Sequence, residues 1–279
     1  KTVNVQFSSG GRLNPVVTQH YNEPANNGAG RHFEENIEIG TAHEVAILAS
    51  HGGDIETDIS DHLWRIDDGV DAGTSQQADI WENYGEWGNG ETSRRWHITS
   101  DAFFGGSFPG LAQLIAQAPY TYAVSVHGFT GRLLGDATPN DAFYGIVLGG
   151  NGNRQEKCYI ARGIQDELDL IGRRTDVAIS LFYLVNGSLQ STLILDGSGR
   201  GLSSVNDLRG IDPDNIANRL SPNTNGAAGS GAFHFELSKE LRDDSALLAA
   251  VMDGIGERLG LLAANPAVAN NACTTLLFP

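Results

Sequence analysis

Lysine is almost absent from this chain. It occurs at Lys1, Lys157 and Lys239, and arginine supplies most of the positive charge. Against 18 basic residues stand 34 acidic ones, a formal net charge of -16. Such a surface lacks the basic stripe that a phosphate backbone requires, which argues against DNA or RNA as a partner. It also repels anions at long range, so an acidic substrate would need local arginines in the site itself. No apolar run approaches the roughly 18 residues of a membrane span, so no membrane partner is expected. Several site signatures are missing too. There is no CxxC pair for a structural zinc, no His-Glu-x-x-His helix, no GxSxG elbow and no Gly-rich phosphate loop after a strand. Cysteine is limited to Cys158 and Cys273.

What is present is enough for a substantial core. The chain has 279 residues, 40% of them hydrophobic, and no linker-like stretch divides it. We expect one domain over residues 1–279, and a monomer. Short apolar runs at 44–50, 121–127, 143–149, 176–184 and 232–237 lack polar alternation, as strands buried on both faces do. Helical patterns lie between them, at 104–118, 153–171 and 243–262. A further helix follows the first of these strands, with Thr57 or Asp58 as its cap and Ile59, Leu63 and Ile66 on one side. The alternation predicts an α/β fold, a single mixed, mostly parallel sheet flanked by helices. The chain starts at Lys1 rather than methionine, which fits a processed, secreted protein. In that setting Cys158 and Cys273 pair as one disulfide, tying a central helix to the C-terminal segment; two buried thiols are the alternative. Asn186-Gly187-Ser188 is a glycosylation sequon.

Open α/β sheets place their sites at the carboxyl ends of strands. In "ILASHGGDIETDISDHL" His51 ends an apolar run and is followed by Gly52, Gly53 and, five residues on, Glu56. Two glycines let the chain turn sharply, so Glu56 can fold back toward the imidazole. His127 ends a second strand in "YAVSVHGF". His51, Glu56 and His127 make a three-ligand set of the kind a catalytic zinc uses, with one position left open. Glu236 lies within the last strand, in "GAFHFELSKELRDD", with His234 two residues before it on the same face.

The segment around His51 resembles the "PHGGxIExGTS" stretch of the poly-γ-glutamate hydrolase family, whose fold is similar to zinc carboxypeptidases. Five further segments resemble that family's motifs in the family's order. They are "WHITSDAFF", "VSVHGF", "YGIVLGGNG", "NIANRL" and "FHFELSKELR". Departures occur at Ala49-Ser50, Asp54 and Asp58. The resemblance implies a carboxypeptidase-like fold, one Zn2+ per chain held by His51, Glu56 and His127, and Glu236 as general base. It implies hydrolysis of γ-amide bonds in an anionic polymer, poly-γ-glutamate.

The residue chemistry agrees with those roles. Zinc brings the pKa of its water close to neutrality, and a partly desolvated glutamate is suited to carrying the proton to the leaving amine. Arg219, in "NIANRL", is the candidate for stabilising an oxyanion or binding a substrate carboxylate; a surface pairing with Asp212 or Asp214 is its plain alternative. Arg95 would add local positive charge. His97 is open between a substrate contact, a supporting residue and a structural one, and His234 is placed in or near the site. Two other readings stay in view. One is a different zinc amide hydrolase, a carboxypeptidase or an acylamino-acid deacylase. The other is a non-catalytic module that binds an extracellular polymer.

Overall fold

The computed structural model describes residues 3–6, 17–21, 31–40, 43–87, 97–103, 105–106, 108–129, 143–185, 187–200, 208–223 and 226–275. Among them ten strands form one sheet. In chain order these are β1 (Val3–Gln6), β2 (Val17–Tyr21), β3 (Arg31–Glu38), β4 (Val45–Gly53), β5 (Asp79–Trp87), β6 (Tyr122–Phe129), β7 (Tyr144–Gly149), β8 (Val177–Val185), β9 (Ser188–Ile194) and β10 (Gly231–Ser238). Their spatial order is β1-β2-β3-β5-β4-β6-β10-β7-β8-β9. The run β5-β4-β6-β10 is parallel, as is β7-β8. The remaining neighbours, including β10-β7, are antiparallel. Parallel character is therefore concentrated at the centre, where the predicted apolar strands lie.

Helices cover both faces. On one, α1 (Leu63–Thr74), α3 (Arg154–Leu170) and α6 (Ser245–Ala264) pack on Val45, Ile47 and Ala49 of β4, Val124 and Val126 of β6, and Phe233 and Phe235 of β10. On the other, α2 (Pro109–Gln117) and α4 (Ile216–Leu220) pack on Ala46, Leu48, Trp81, Ala123 and Ala232. Side chains alternate between faces along each strand, so Ser125, His127, His234 and Glu236 share parity with Ala123 and Ala232. They stand on the α2/α4 side. Two short helices complete the set, α5 (Lys239–Asp243) directly after β10 and α7 (Ala272–Thr275) near the C-terminus.

Helix ends follow local chemistry. Asn153 accepts from Gln155 N at the start of α3, and Asp244 accepts from Leu247 N at the start of α6, each satisfying an orphan donor. Pro109 occupies the first turn of α2. The expected cap at Thr57 or Asp58 is corrected by the structure. A short 3-10 turn at Ser60–His62 precedes α1, which starts at Leu63 with no side-chain cap, and Asp58 has φ 72°. Those two residues belong to the turn that carries Glu56. Helices α1 and α6 approach closely through glycines. A methyl group on Gly69 would lie 2.3 Å from Gly256 C, and one on Gly73 2.5 Å from Gly260 C. Cys158 of α3 and Cys273 of α7 form the expected disulfide, closing a loop of 115 residues. Among the described residues no helix is long and apolar enough to cross a membrane. The sequon residue Asn186 lies outside the described residues.

Candidate metal centre

His51 should, by strand parity, point with Ile47 and Ala49 into the helix layer. It does not, because the pairing of β4 with β5 shifts register between Ala49 and Gly52. Such a bulge re-aims the residues that follow it, and His51 turns to the α2/α4 side. The chain then reverses. Gly53 has φ 65°, and Glu56 N donates to His51 O at 3.0 Å, closing the turn. Gly52 is needed for space, since a methyl group there would lie 2.4 Å from Glu82 Oε1 and 2.5 Å from Ser60 Oγ. Ser60 Oγ accepts from Gly53 N at 2.8 Å. The Arg242 guanidinium, itself buried, donates to Thr57 O at 2.8 Å and pins the far side of the turn.

The result is a tight cluster. His51 Nδ1 is 3.0 Å from Glu56 Oε1 and 3.0 Å from His127 Nδ1; His127 Nδ1 is 3.9 Å from Glu56 Oε2. Gly128 N donates to Glu56 Oε2 at 2.7 Å. The outer nitrogens of both rings are engaged elsewhere. His51 Nε2 donates to Ile98 O at 2.7 Å; a carbonyl can only accept, so this nitrogen carries hydrogen. His127 Nε2 meets Ser125 Oγ at 2.7 Å and Ser100 Oγ at 3.2 Å. Both Nδ1 atoms thus face each other and a carboxylate in a buried corner, where a proton or a cation between them removes the repulsion of their lone pairs. His97 closes the group from outside. Its ring stacks on His51 with centroids 4.1 Å apart, and its Nε2 is 3.5 Å from Glu56 Oε1. It is 42% exposed, so it is the donor on the solvent side. Ligating atoms of His51, Glu56 and His97 lie within 4.8 Å of one another.

The electrostatics follow from burial and crowding. Burial opposes charge on His51, but the Glu56 carboxylate beside it overcomes this and raises its pKa. Burial likewise pushes Glu56 up, yet His51, the hydrogen bonds from His51 and His97, and the charge of His127 bring it far below the usual carboxylate range. His127 is lowered by burial and by its neighbours His234 and His51. His234 falls to about 4, chiefly through burial. Glu236 moves the other way, raised by burial and then by the Glu56 charge. Two nitrogens and a carboxylate oxygen converging on one point form the mixed donor set that zinc takes, with the outer nitrogens held by second partners.

Glu236 stands beside His127 in register on the neighbouring parallel strand, and His234 beside Ser125. Glu236, His127, His234, His51, Glu56 and His97 all line one cavity of about 680 Å³. Among the described residues the arginine that lines it is Arg209, which sequence reading missed. Its Nε is buried without a hydrogen-bond partner, and its guanidinium lies 5.4 Å over the Phe182 ring. Arg219 is placed elsewhere. It is exposed on α4, outside the cavity lining, and donates from Nη1 to Phe103 O at 2.7 Å. There it ties down the far end of the segment that carries His97, Ile98 and Ser100. Neither Asp212 nor Asp214 pairs with it in the contacts the structure gives. Arg95 lies outside the described residues.

Neither a protein-family model nor a curated protein matches the chain in sequence. Solved structures are similar at a distance. One is a putative carboxypeptidase A from Shewanella denitrificans OS-217, 9% identical, with a TM-score of 0.37 over 86% of this chain and 61% of that one. Another is an N-formylglutamate amidohydrolase from Ralstonia eutropha JMP134, 10% identical, with a TM-score of 0.32 over 87% of this chain and 98% of that one. A third is a metallo-carboxypeptidase from Pseudomonas aeruginosa, 12% identical, with a TM-score of 0.33 over 83% of this chain and 60% of that one.

Proposed function

We propose that the chain is a metal-dependent hydrolase of amide bonds, secreted, acting on poly-γ-glutamate. The observation that carries this reading is the convergence of His51 Nδ1, His127 Nδ1 and the Glu56 carboxylate beside the in-register Glu236 in one cavity. His51, Glu56 and His127 would hold the ion, with His97 as a further donor at the open side. A zinc ion held by these residues would supply Lewis acidity toward the scissile carbonyl and toward water.

The chain's own residues supply the rest. Glu236, carried on a central strand, accepts a proton from the attacking water at its carboxylate and returns it to the leaving amine. Its raised pKa suits both halves of that transfer, because a carboxylate that holds a proton more tightly takes it more readily from water. Ser125 and Ser100 hold the outer face of His127, and Ile98 O holds that of His51, so both rings are oriented before any ligand arrives. Arg209 takes the part first sought at Arg219, offering a carboxylate-bearing substrate a counter-charge within the cavity. Six motifs in the order of the poly-γ-glutamate hydrolase family support the choice of polymer. The Cys158–Cys273 disulfide supports an oxidising compartment.

Incubation with poly-γ-glutamate, with and without a chelator, tests the reading. A fall in chain length that the chelator abolishes is the expected result. Release of single terminal residues only would favour a carboxypeptidase, and an unchanged polymer would refute the substrate.

A further inference from the structure

His234 has no part in the chemistry described so far, yet the fold goes to some trouble to place it. It is 4% exposed. Its ring lies against His127, with centroids 4.6 Å apart, and against the backbone of Gly210. Gly210 has φ 54°, and a methyl group there would lie 2.2 Å from His234 Cγ, so the ring fits only because that position is glycine. His234 Nε2 is 3.0 Å from Glu236 Oε1. Its Nδ1 is buried and has no hydrogen-bond partner among the described residues.

Those two nitrogens fix the tautomer. A ring with hydrogen on Nδ1, whether neutral or doubly protonated, would bury an unmatched donor. A ring with hydrogen only on Nε2 leaves Nδ1 as an unmatched lone pair, which is the less costly state, and satisfies a carboxylate oxygen at the same time. We infer that His234 is a positioning residue for the general base: it donates Nε2–H to Glu236 Oε1, fixes the plane of the carboxylate and leaves Oε2 to take the proton from water. On the neighbouring strands Glu236 is in register with His127, whose two ring nitrogens meet Ser125 Oγ and His51 Nδ1, and with Val147, which has no polar side chain.

The kinetic consequence rests on the hydrolytic reading; the hydrogen bond does not, so the test has two arms. In the full chain labelled with 15N-histidine, a long-range 1H–15N spectrum at pH 7.5 reads each tautomer, and His234 is assigned by its absence in His234→Gln. The expected pattern is hydrogen on Nε2 alone, relaxing to a mixture of tautomers in Glu236→Leu. Hydrogen on Nδ1, or a pattern indifferent to Glu236→Leu, overturns the inference. In the second arm, with poly-γ-glutamate as substrate, His234→Ala lowers kcat about 10–100-fold through misplacement of the base, with KM and bound metal essentially unchanged. His234→Gln, whose amide also donates, recovers most of the loss. Equal kcat in wild type and His234→Ala overturns the role. An inactive wild type with the Nε2–H pattern intact supports the hydrogen bond and refutes the hydrolytic reading.

Discussion

At the scale of single residues, the site separates two carboxylates by environment. Glu56 is surrounded by imidazoles and a backbone N–H and stays ionised; Glu236 is buried beside that charge and holds its proton more tightly. In the proposed mechanism the division of labour between a ligand and a proton carrier follows from that difference. Glu236→Gln should keep its metal and lose about 100–10,000-fold in kcat; a variant of near-normal turnover would remove Glu236 from the mechanism. Lys157 gives a second residue-level prediction. It is fully buried, donates to Gly150 O and Phe182 O, and burial lowers its pKa to about 7. Between pH 7 and the unfolded value near 10.4 the unfolded chain binds a proton that the folded chain does not, so stability rises with pH across that window. Urea denaturation of wild type and Lys157→Met at pH 7 and pH 9 should show wild type gaining about 2 kcal/mol relative to the variant. No change in the difference would mean that Lys157 stays charged.

At the scale of elements, the bulge and turn of β4 decide where His51 and Glu56 point. Gly53→Val would place a β-branched residue at φ 65° against Gly85 O. It should cost about 1–3 kcal/mol and a large part of the bound metal, measured by denaturation and by metal analysis; unaltered metal binding would show that the turn is not what sets the site. The sequence made this turn legible because two glycines and a glutamate after an apolar run have few other uses. It made the central strands legible for a related reason, since β4, β6, β7, β8 and β10 are buried on both sides and read as unbroken apolar runs. Strands β3 and β5 were not legible. They carry Glu35, Asp79, Glu82 and Asn83, all buried, which look like surface residues until their partners are seen. Glu35 accepts from Trp81 Nε1 and from Gly110 N and Leu111 N at the start of α2, and Asp79 accepts from Tyr120 OH and Gly40 N. Edge strand β9 is exposed or half-buried along most of its length and shows no apolar run.

At the scale of the whole molecule, residues far apart in sequence meet in one cavity. His51 and His127 were readable as strand ends, and Glu236 as an acid on an apolar strand. Arg209 was not, because it lies in a stretch without periodicity and owes its place to Gly149 and Gly150, which pack on its backbone. Arg219 looked like a site residue from its motif, but a guanidinium that donates to Phe103 O is holding backbone instead. Reducing the 115-residue disulfide loop should cost about 3–5 kcal/mol, read as a lower urea midpoint in Cys158→Ser/Cys273→Ser; an unchanged midpoint would show that the cross-link contributes nothing to stability. With the proposed anionic polymer as substrate, a net charge of -16 predicts kcat/KM that rises as salt screens the repulsion, and a flat profile would indicate a neutral substrate. The functional reading depends on the cluster being a metal centre. The most direct test is the metal content of protein purified without chelators. About one divalent ion per chain is predicted in wild type and in Glu236→Gln, with most of it lost in His51→Ala and Glu56→Ala. Wild type that binds no metal, or a His51→Ala variant that binds as much as wild type, would contradict the account.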